Sequence, residues 1–381
     1  MKEIPGGVCA VRGVRAHGIK EGRDGLAVIT GEGESTWVFT KNKIIAAPIV
    51  ITREHLAGHR LSAVVATSGC ANAFTGTRGL ADAARTAEMV ADSFGVTVDS
   101  IGVASTGVIG VPLDMGWIEE RIDSVIAGLS DADEGSAAAA RAIMTTDTYP
   151  KEFAVELSSG VRIGGIAKGS GMIAPDMATM LAFIYTDADL SHKMLDSCLK
   201  RAVDRSFNMI VVDGDTSTND MVLLTATAKK GTPDEDEFQE GLDYICTELA
   251  KMIARDGEGA EKFIEVRVTG AQTDEDAKKA AKAIVRSPLV KTAVHGGDPN
   301  WGRVVAAVGY SGANIDPDQI SLALCGVMVV DRGSIVDGAV VDMSEEDIGI
   351  AVDLGLGAGE AAAWGCDLTC EYVRINAEYT S

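Results

Sequence analysis

The 381-residue chain is 46% hydrophobic and 24% charged, ordinary usage for a folded globular protein with material for a large core, so disorder is not the default. Its 56 acidic against 34 basic side chains give a formal net charge of -22, a field that repels nucleic acid and anionic lipid and argues against a polyanionic partner. No apolar window of about eighteen residues occurs, the stretch from Met1 to Lys20 has no signal-like apolar run, and the seven cysteines form no CxxC, so a cytoplasmic chain with reduced thiols is expected, neither exported nor membrane-spanning.

In chain order, short apolar runs predict strands at 26–30, 37–40, 61–66 and 101–105, with a helix over 78–94. An alanine-rich run at 136–144 has high helix propensity and ends in the turn formers Thr145, Thr146, Asp147 and Thr148. Strands follow at 153–157 and 161–166. The run from Thr179 to Tyr185 is apolar on both faces, the mark of a strand covered on both sides. A helix over 238–254 precedes a strand at 263–270 that alternates with period two. The segment 274–286 reads as an amphipathic helix with Ala277, Ala280, Ala281 and Ile284 on one face, stopped by Pro288. Further strands are expected at 304–308, 324–330 and 348–352. Glycines, 43 against 9 prolines, fall at segment ends, and no repeat or low-complexity tether divides the chain. One α/β body with a smaller subdomain is the reading.

The stretch 164–188 carries the chemistry. Gly169, Gly171 and Pro175 impose an irregular loop just before the buried strand, and Thr179 stands at the junction. On propensity alone Thr179 is a β-branched residue opening a strand. The sharper reading is that its hydroxyl attacks the carbonyl of Ala178. Water then cleaves the resulting ester and leaves Thr179 as a new N-terminus. The freed α-amine, titrating around pH 8, is then a base beside its own nucleophile.

KGSGMIAPDMATML at 168–181, STGVIG at 105–110, MTTDT at 144–148, DGDTSTND at 213–220, DPNWGR at 298–303 and the terminal NAEYTS together resemble the ornithine acetyltransferase family from end to end. The resemblance implies a layered αββα sandwich of N-terminal-nucleophile character (DmpA/ornithine acetyltransferase-like), with a smaller C-terminal α/β subdomain. It implies autocleavage between Ala178 and Thr179 into chains 1–178 and 179–381 that form one catalytic body, usually as an α2β2 heterotetramer. The implied activity is ping-pong transfer of acetyl from N2-acetylornithine to L-glutamate through an acetyl-Thr179 intermediate, with no metal or organic cofactor. Some members also take acetyl-CoA as donor. The family's oxyanion-stabilising pair falls on Thr106 and Gly107. Its substrate-binding positions fall on Thr145, Lys168, Thr179, Glu258, Asn376 and Ser381. Lys168 suits the substrate carboxylate and Glu258 its ammonium; the bland reading of both is exposed charge on turns, and for Asn376 and Ser381 a frayed tail. Glu258 is the loosest match, with Asp256 and Glu261 as competitors. The chain departs from the family at Asp176 and Cys70, where relatives often carry asparagine; Cys70 is expected to be a small buried side chain.

Other constellations are weaker. His55 and His59 have i, i+4 spacing without the HExxH glutamate, and read as a surface helix. DGDTSTND lacks the calcium-loop pattern and is expected to be a structural loop near the site. GGIAKGSG is not a P-loop, Ser170 and Ser311 lack GxSxG, and Cys366 with Cys370 is too small a set for zinc. The rival functions are an autoprocessed aminopeptidase or amidohydrolase, and a non-catalytic amino-acid-binding protein of the same fold.

Overall fold

In the computed structural model, residues 1–174 and 180–378 are described. Two sheets and their helices make an α/β fold, as expected. The larger sheet has nine strands, in the order Lys2–Glu3, Lys151–Glu156, Arg162–Lys168, Leu181–Thr186, Met221–Ala226, Asp24–Phe39, Arg60–Cys70 and Ile101–Val108, with Arg15–Glu21 also on Asp24–Phe39.

The strand Asp24–Phe39, 16 residues long, organises this sheet. Its first part pairs with Arg15–Glu21 on one side and Arg60–Cys70 on the other; its last part pairs with Met221–Ala226. The sequence predicts two strands here because the polar stretch 31–35 interrupts the apolar pattern. That stretch stays extended for a packing reason. A Cβ on Gly33 would lie 1.9 Å from the Ala226 carbonyl oxygen, so only glycine allows the approach. Ser35, fully buried, shares a 2.9 Å hydrogen bond with the Thr225 hydroxyl. The strands Leu181–Thr186 and Met221–Ala226 run parallel, and all their residues are buried, as the two-faced apolar run predicts.

The smaller C-terminal sheet has seven strands, with Phe263–Ala271 between Asp347–Asp353 and Gly359–Cys366. The helix Asp274–Arg286 covers it with Ala277, Ala280, Ala281 and Ile284, all buried. Thr273 caps this helix by accepting from Asp276 N at 3.2 Å, and three acids occupy its first turn, so its start agrees with both capping and dipole rules. The helix Glu235–Arg255 touches strands of both sheets and ties them together.

Three readings need correction. Residues 304–308 lie in a helix, Trp301–Tyr310, not a strand; Val304, Ala307 and Val308 are buried at i, i+3, i+4, a period that a short apolar run cannot distinguish from a buried strand. Residues 324–330 contain a hairpin turn, because Cys325 and Gly326 both adopt positive φ (48° and 79°) between Ser321–Leu324 and Val327–Asp331. His55 ends the helix Ala47–His55, but His59 has φ 56° and has left it, so the two imidazoles do not share a helical face.

Candidate active site

The strand Ile101–Val108 ends in Thr106 and Gly107. Gly107 has φ 133°, and a Cβ there would lie 2.3 Å from the Gly69 carbonyl carbon. A side chain is excluded on both counts. Asn219 fixes the neighbouring backbone by donating from Nδ2 to the carbonyls of Ala71 (2.6 Å) and Ser105 (2.8 Å).

Lys168, at the end of its strand, is only 2% exposed, so the exposed-turn reading of this charge is wrong. Its Nζ donates to Thr145 Oγ1 at 2.7 Å and to Thr106 Oγ1 at 3.4 Å, and lies 3.6 Å from Asp147 Oδ2. Thr106, Thr145 and Lys168, dispersed in the sequence, thus meet at one ammonium group.

Behind Lys168 runs a buried line of charge that sequence reasoning missed. Asp147 Oδ1 accepts from Lys151 Nζ at 2.8 Å and from Gly169 N at 2.7 Å, and its Oδ2 accepts from Thr145 N at 3.0 Å. Lys151, fully buried, also donates to Asp256 Oδ2 at 2.5 Å, and Asp256 accepts from the Thr148 amide and hydroxyl. Two ammonium groups alternate with two carboxylates, so charge balances inside the protein. Burial pushes the Asp147 carboxyl up, but Lys168 and Lys151 together outweigh it and hold it well below the usual carboxylate range. Burial lowers the Lys168 pKa, offset in part by Asp147. The i, i+4 spacing of Asp147 and Lys151 is the sequence signal that was available.

Glu258 is half-buried; its amide donates to Ser170 O at 3.0 Å and its Oε2 accepts from Asn376 Nδ2 at 2.9 Å. Its carboxyl lies over Gly171, where a Cβ would stand 2.4 Å from the carboxyl carbon. Glu258 and Asn376 are therefore brought together. Its competitors are engaged elsewhere: Asp256 holds Lys151, and Glu261 Oε2 lies 3.8 Å from His295 Nδ1. Glu261, His295 and Asp367 offer ligand atoms within 4.8 Å of one another. Hydrogen bonding accounts for that cluster, since Asp367 uses Oδ1 on the amides of Glu261 and Lys262 and Oδ2 on His295.

Ala178, Thr179 and Asp176 lie outside the described residues, as does Ser381. Both flanks of 175–179 are held by one loop, that of DGDTSTND. Asp213 accepts from Met172 N (2.6 Å) and Ile173 N (2.9 Å), while Val212 N donates to Ile173 O. Asp220 Oδ1 accepts from Met180 N at 3.1 Å. The expected structural loop near the site is what this segment forms. Asp220 is fully buried, and its Oδ2 has no hydrogen-bond partner among the described residues. Burial raises its pKa well above the usual carboxylate value despite the Met180 amide. Cys70 is half-buried rather than buried, with Sγ donating to Val111 O at 2.9 Å.

Residues 11–381 match the model of the ArgJ family. The glutamate N-acetyltransferase of Methanosarcina mazei is 56% identical, covering 100% of this chain and 100% of that protein. The arginine biosynthesis bifunctional protein ArgJ of Symbiobacterium thermophilum is 48% identical, again over 100% of each. A crystal structure of the bifunctional protein from Bacillus halodurans is 42% identical over 52% of this chain and 98% of that one, with a TM-score of 0.49.

Proposed function

The chain belongs to the ArgJ family and is an acyltransferase of arginine biosynthesis, and from that premise we propose that it moves acetyl from N2-acetylornithine to L-glutamate through a covalent ester on Thr179. The polypeptide first cuts itself between Ala178 and Thr179, giving chains of 178 and 203 residues (381 minus 178) that assemble as α2β2. The Thr179 hydroxyl then attacks the acetyl carbonyl carbon and passes its proton to the freed α-amine. The C–N bond to ornithine breaks as that nitrogen takes a proton, leaving acetyl-Thr179. The glutamate amine attacks the ester, and N-acetylglutamate leaves as the Thr179 oxygen recovers a proton.

The observation that carries this reading is the buried Lys168 ammonium against the hydroxyls of Thr106 and Thr145. Thr106 and Gly107 stabilise the oxyanion, a contribution of about 3 kcal/mol for each preorganised donor. Lys168 is the cation for a substrate carboxylate, and Glu258 with Asn376 receives the side-chain ammonium. Thr179 and Ser381 complete the substrate-binding set, and no metal or cofactor enters the cycle. Acetyl-CoA is the second donor to assay.

Intact mass under denaturing conditions tests the first step. Wild type should separate into two chains, the second beginning at Thr179, and Thr179→Ala should stay whole. Processed wild type incubated with acetylornithine should gain one acetyl group on the second chain, and glutamate should remove it. A chain that is never cut would sink the mechanism, while acetylornithine consumption independent of glutamate would favour the hydrolase.

A further inference from the structure

Lys20, on the strand Arg15–Glu21, sits directly behind the turn that carries Thr145. Its Nζ donates to Met144 O (2.5 Å), Ser68 Oγ (2.7 Å) and Arg23 O (2.9 Å). Ser68 in turn donates to Ala142 O at 2.7 Å, so the helix end before the turn is held as well. All three acceptors of Lys20 are neutral, and among the described residues no carboxylate lies within ion-pair distance of it. Lys168 differs, because Asp147 stands beside it and the balanced line of Lys151 and Asp256 lies behind. Lys20 is thus a half-buried cation without a contacting counter-ion.

Charge of this kind acts beyond its hydrogen bonds. Burial and the positive charge of Lys168 together lower the pKa of Lys20 to about 8, with Asp147 and Asp24 pulling the other way. The Lys168 contribution means that the two ammonium groups feel one another across the Met144–Thr145 turn. An anion bound at Lys168 relieves that repulsion, and a cation adds to it.

We propose that Lys20 is a specificity-determining residue of this site: its charge behind the Met144–Thr145 turn, with no carboxylate in contact, favours glutamate, which carries net negative charge, over ornithine, which carries net positive charge. The identity of the two ligands rests on the function proposed above. The consequence is directional, since the same charge that draws in the acceptor hastens departure of the first product.

Calorimetric binding of glutamate and of ornithine to the processed protein at pH 7 and low salt tests this, comparing wild type, Lys20→Gln and Lys20→Arg. Lys20→Gln should weaken glutamate and tighten ornithine, each by about fourfold, as expected for unit charges roughly 10 Å apart at an effective dielectric near 40. Lys20→Arg should restore both. Added salt should shrink the shift that Lys20→Gln makes in both ligands, because it screens that one charge, whereas the salt dependence of wild type itself also carries the field of the -22 net charge. Weakening of both ligands in Lys20→Gln would assign Lys20 a purely structural role, and unchanged affinities would give it none; either overturns the proposal. If the Gln variant does not fold, Lys20→Met takes its place in the same comparison, and unchanged affinities there overturn the proposal. Wild type that binds neither amino acid would overturn the functional reading itself, and this inference with it.

Discussion

Asp220 has one oxygen on the Met180 amide and the other without a partner among the described residues, all inside the protein. Burial outweighs the Met180 amide, the Thr40 and Ser217 hydroxyls and the Lys168 charge, all of which favour the carboxylate, so the folded state favours the protonated form. The sign of the pH effect follows. Between the ordinary carboxylate value and the raised folded pKa, the folded state holds a proton that the unfolded state has lost, so Asp220 costs stability as pH rises through that window. Asp220→Asn keeps an acceptor for Met180 and removes the titration; urea denaturation should show it matching wild type near pH 4 and exceeding it near pH 8. Asp220→Ala strands the Met180 amide and should lose about 1–3 kcal/mol near pH 4, and less near pH 8, where it also removes the buried charge. An Asn variant no more stable than wild type at pH 8 would contradict this account. From the sequence, Asp220 reads as one more oxygen in a polar turn. Its burial depends on the strand that follows it and the strand beside it, and no local pattern encodes that.

The C-terminal helix Cys370–Glu378 buries none of its residues and is held by a few polar contacts: Thr369 caps Tyr372 N at 3.1 Å, and Asn376 reaches Glu258. On the proposed function, its worth lies in the site and not in the core. A chain ending at Arg374 should keep its thermal midpoint within about 2 °C, since exposed changes rarely exceed about 0.5 kcal/mol. Acetyl transfer should fall by at least about tenfold, the loss of roughly one charge-assisted hydrogen bond. A large loss of thermal stability would instead show that the helix braces the fold.

Elements were legible where local chemistry and burial agree. Asp274–Arg286 announces itself by its Thr273 cap, its acidic first turn and its alanine stripe. His192–Arg205 is not among the helices expected from the sequence, although it obeys the same rule, with Leu195, Cys198, Leu199, Ala202 and Val203 buried on one side. The strand Gly359–Cys366, rich in glycine and alanine, has almost no intrinsic strand preference and exists because Phe263–Ala271 pairs with it. Trp301–Tyr310 misleads in the opposite sense, through a β-branched run that the fold uses as a helix.

Over the whole molecule, the formal charge of -22 is a source of self-repulsion in the compact state. Raising sodium chloride from about 0.02 to 0.2 M shortens the screening length from roughly 20 Å to below 10 Å, so the thermal midpoint should rise. A fall would mean that the ion pairs of the fold outweigh its net repulsion. At this scale the α/β class was readable from the order of the elements, and the two-sheet layering came only from the family resemblance. The meeting of Thr106, Thr145 and Lys168, and of Glu258 with Asn376, was not: strands, turns and a helix far apart in sequence bring them together, and only the family resemblance singled them out. Even the resemblance leaves out Lys151, which is buried between two carboxylates that serve the residues it does name.

The loop that follows Val212 reaches back across the middle of the chain, gripping Met172 and Ile173 with one aspartate and Met180 with another. It works as a splint. If the backbone parts anywhere between Ala174 and Met180, neither grip is lost, and the upstream end stays fastened to the downstream piece. The neighbouring strands Arg162–Lys168 and Leu181–Thr186 also remain zipped across the break. Severed halves of this protein would therefore travel as one particle through any native purification, and only a denaturant would reveal that there are two.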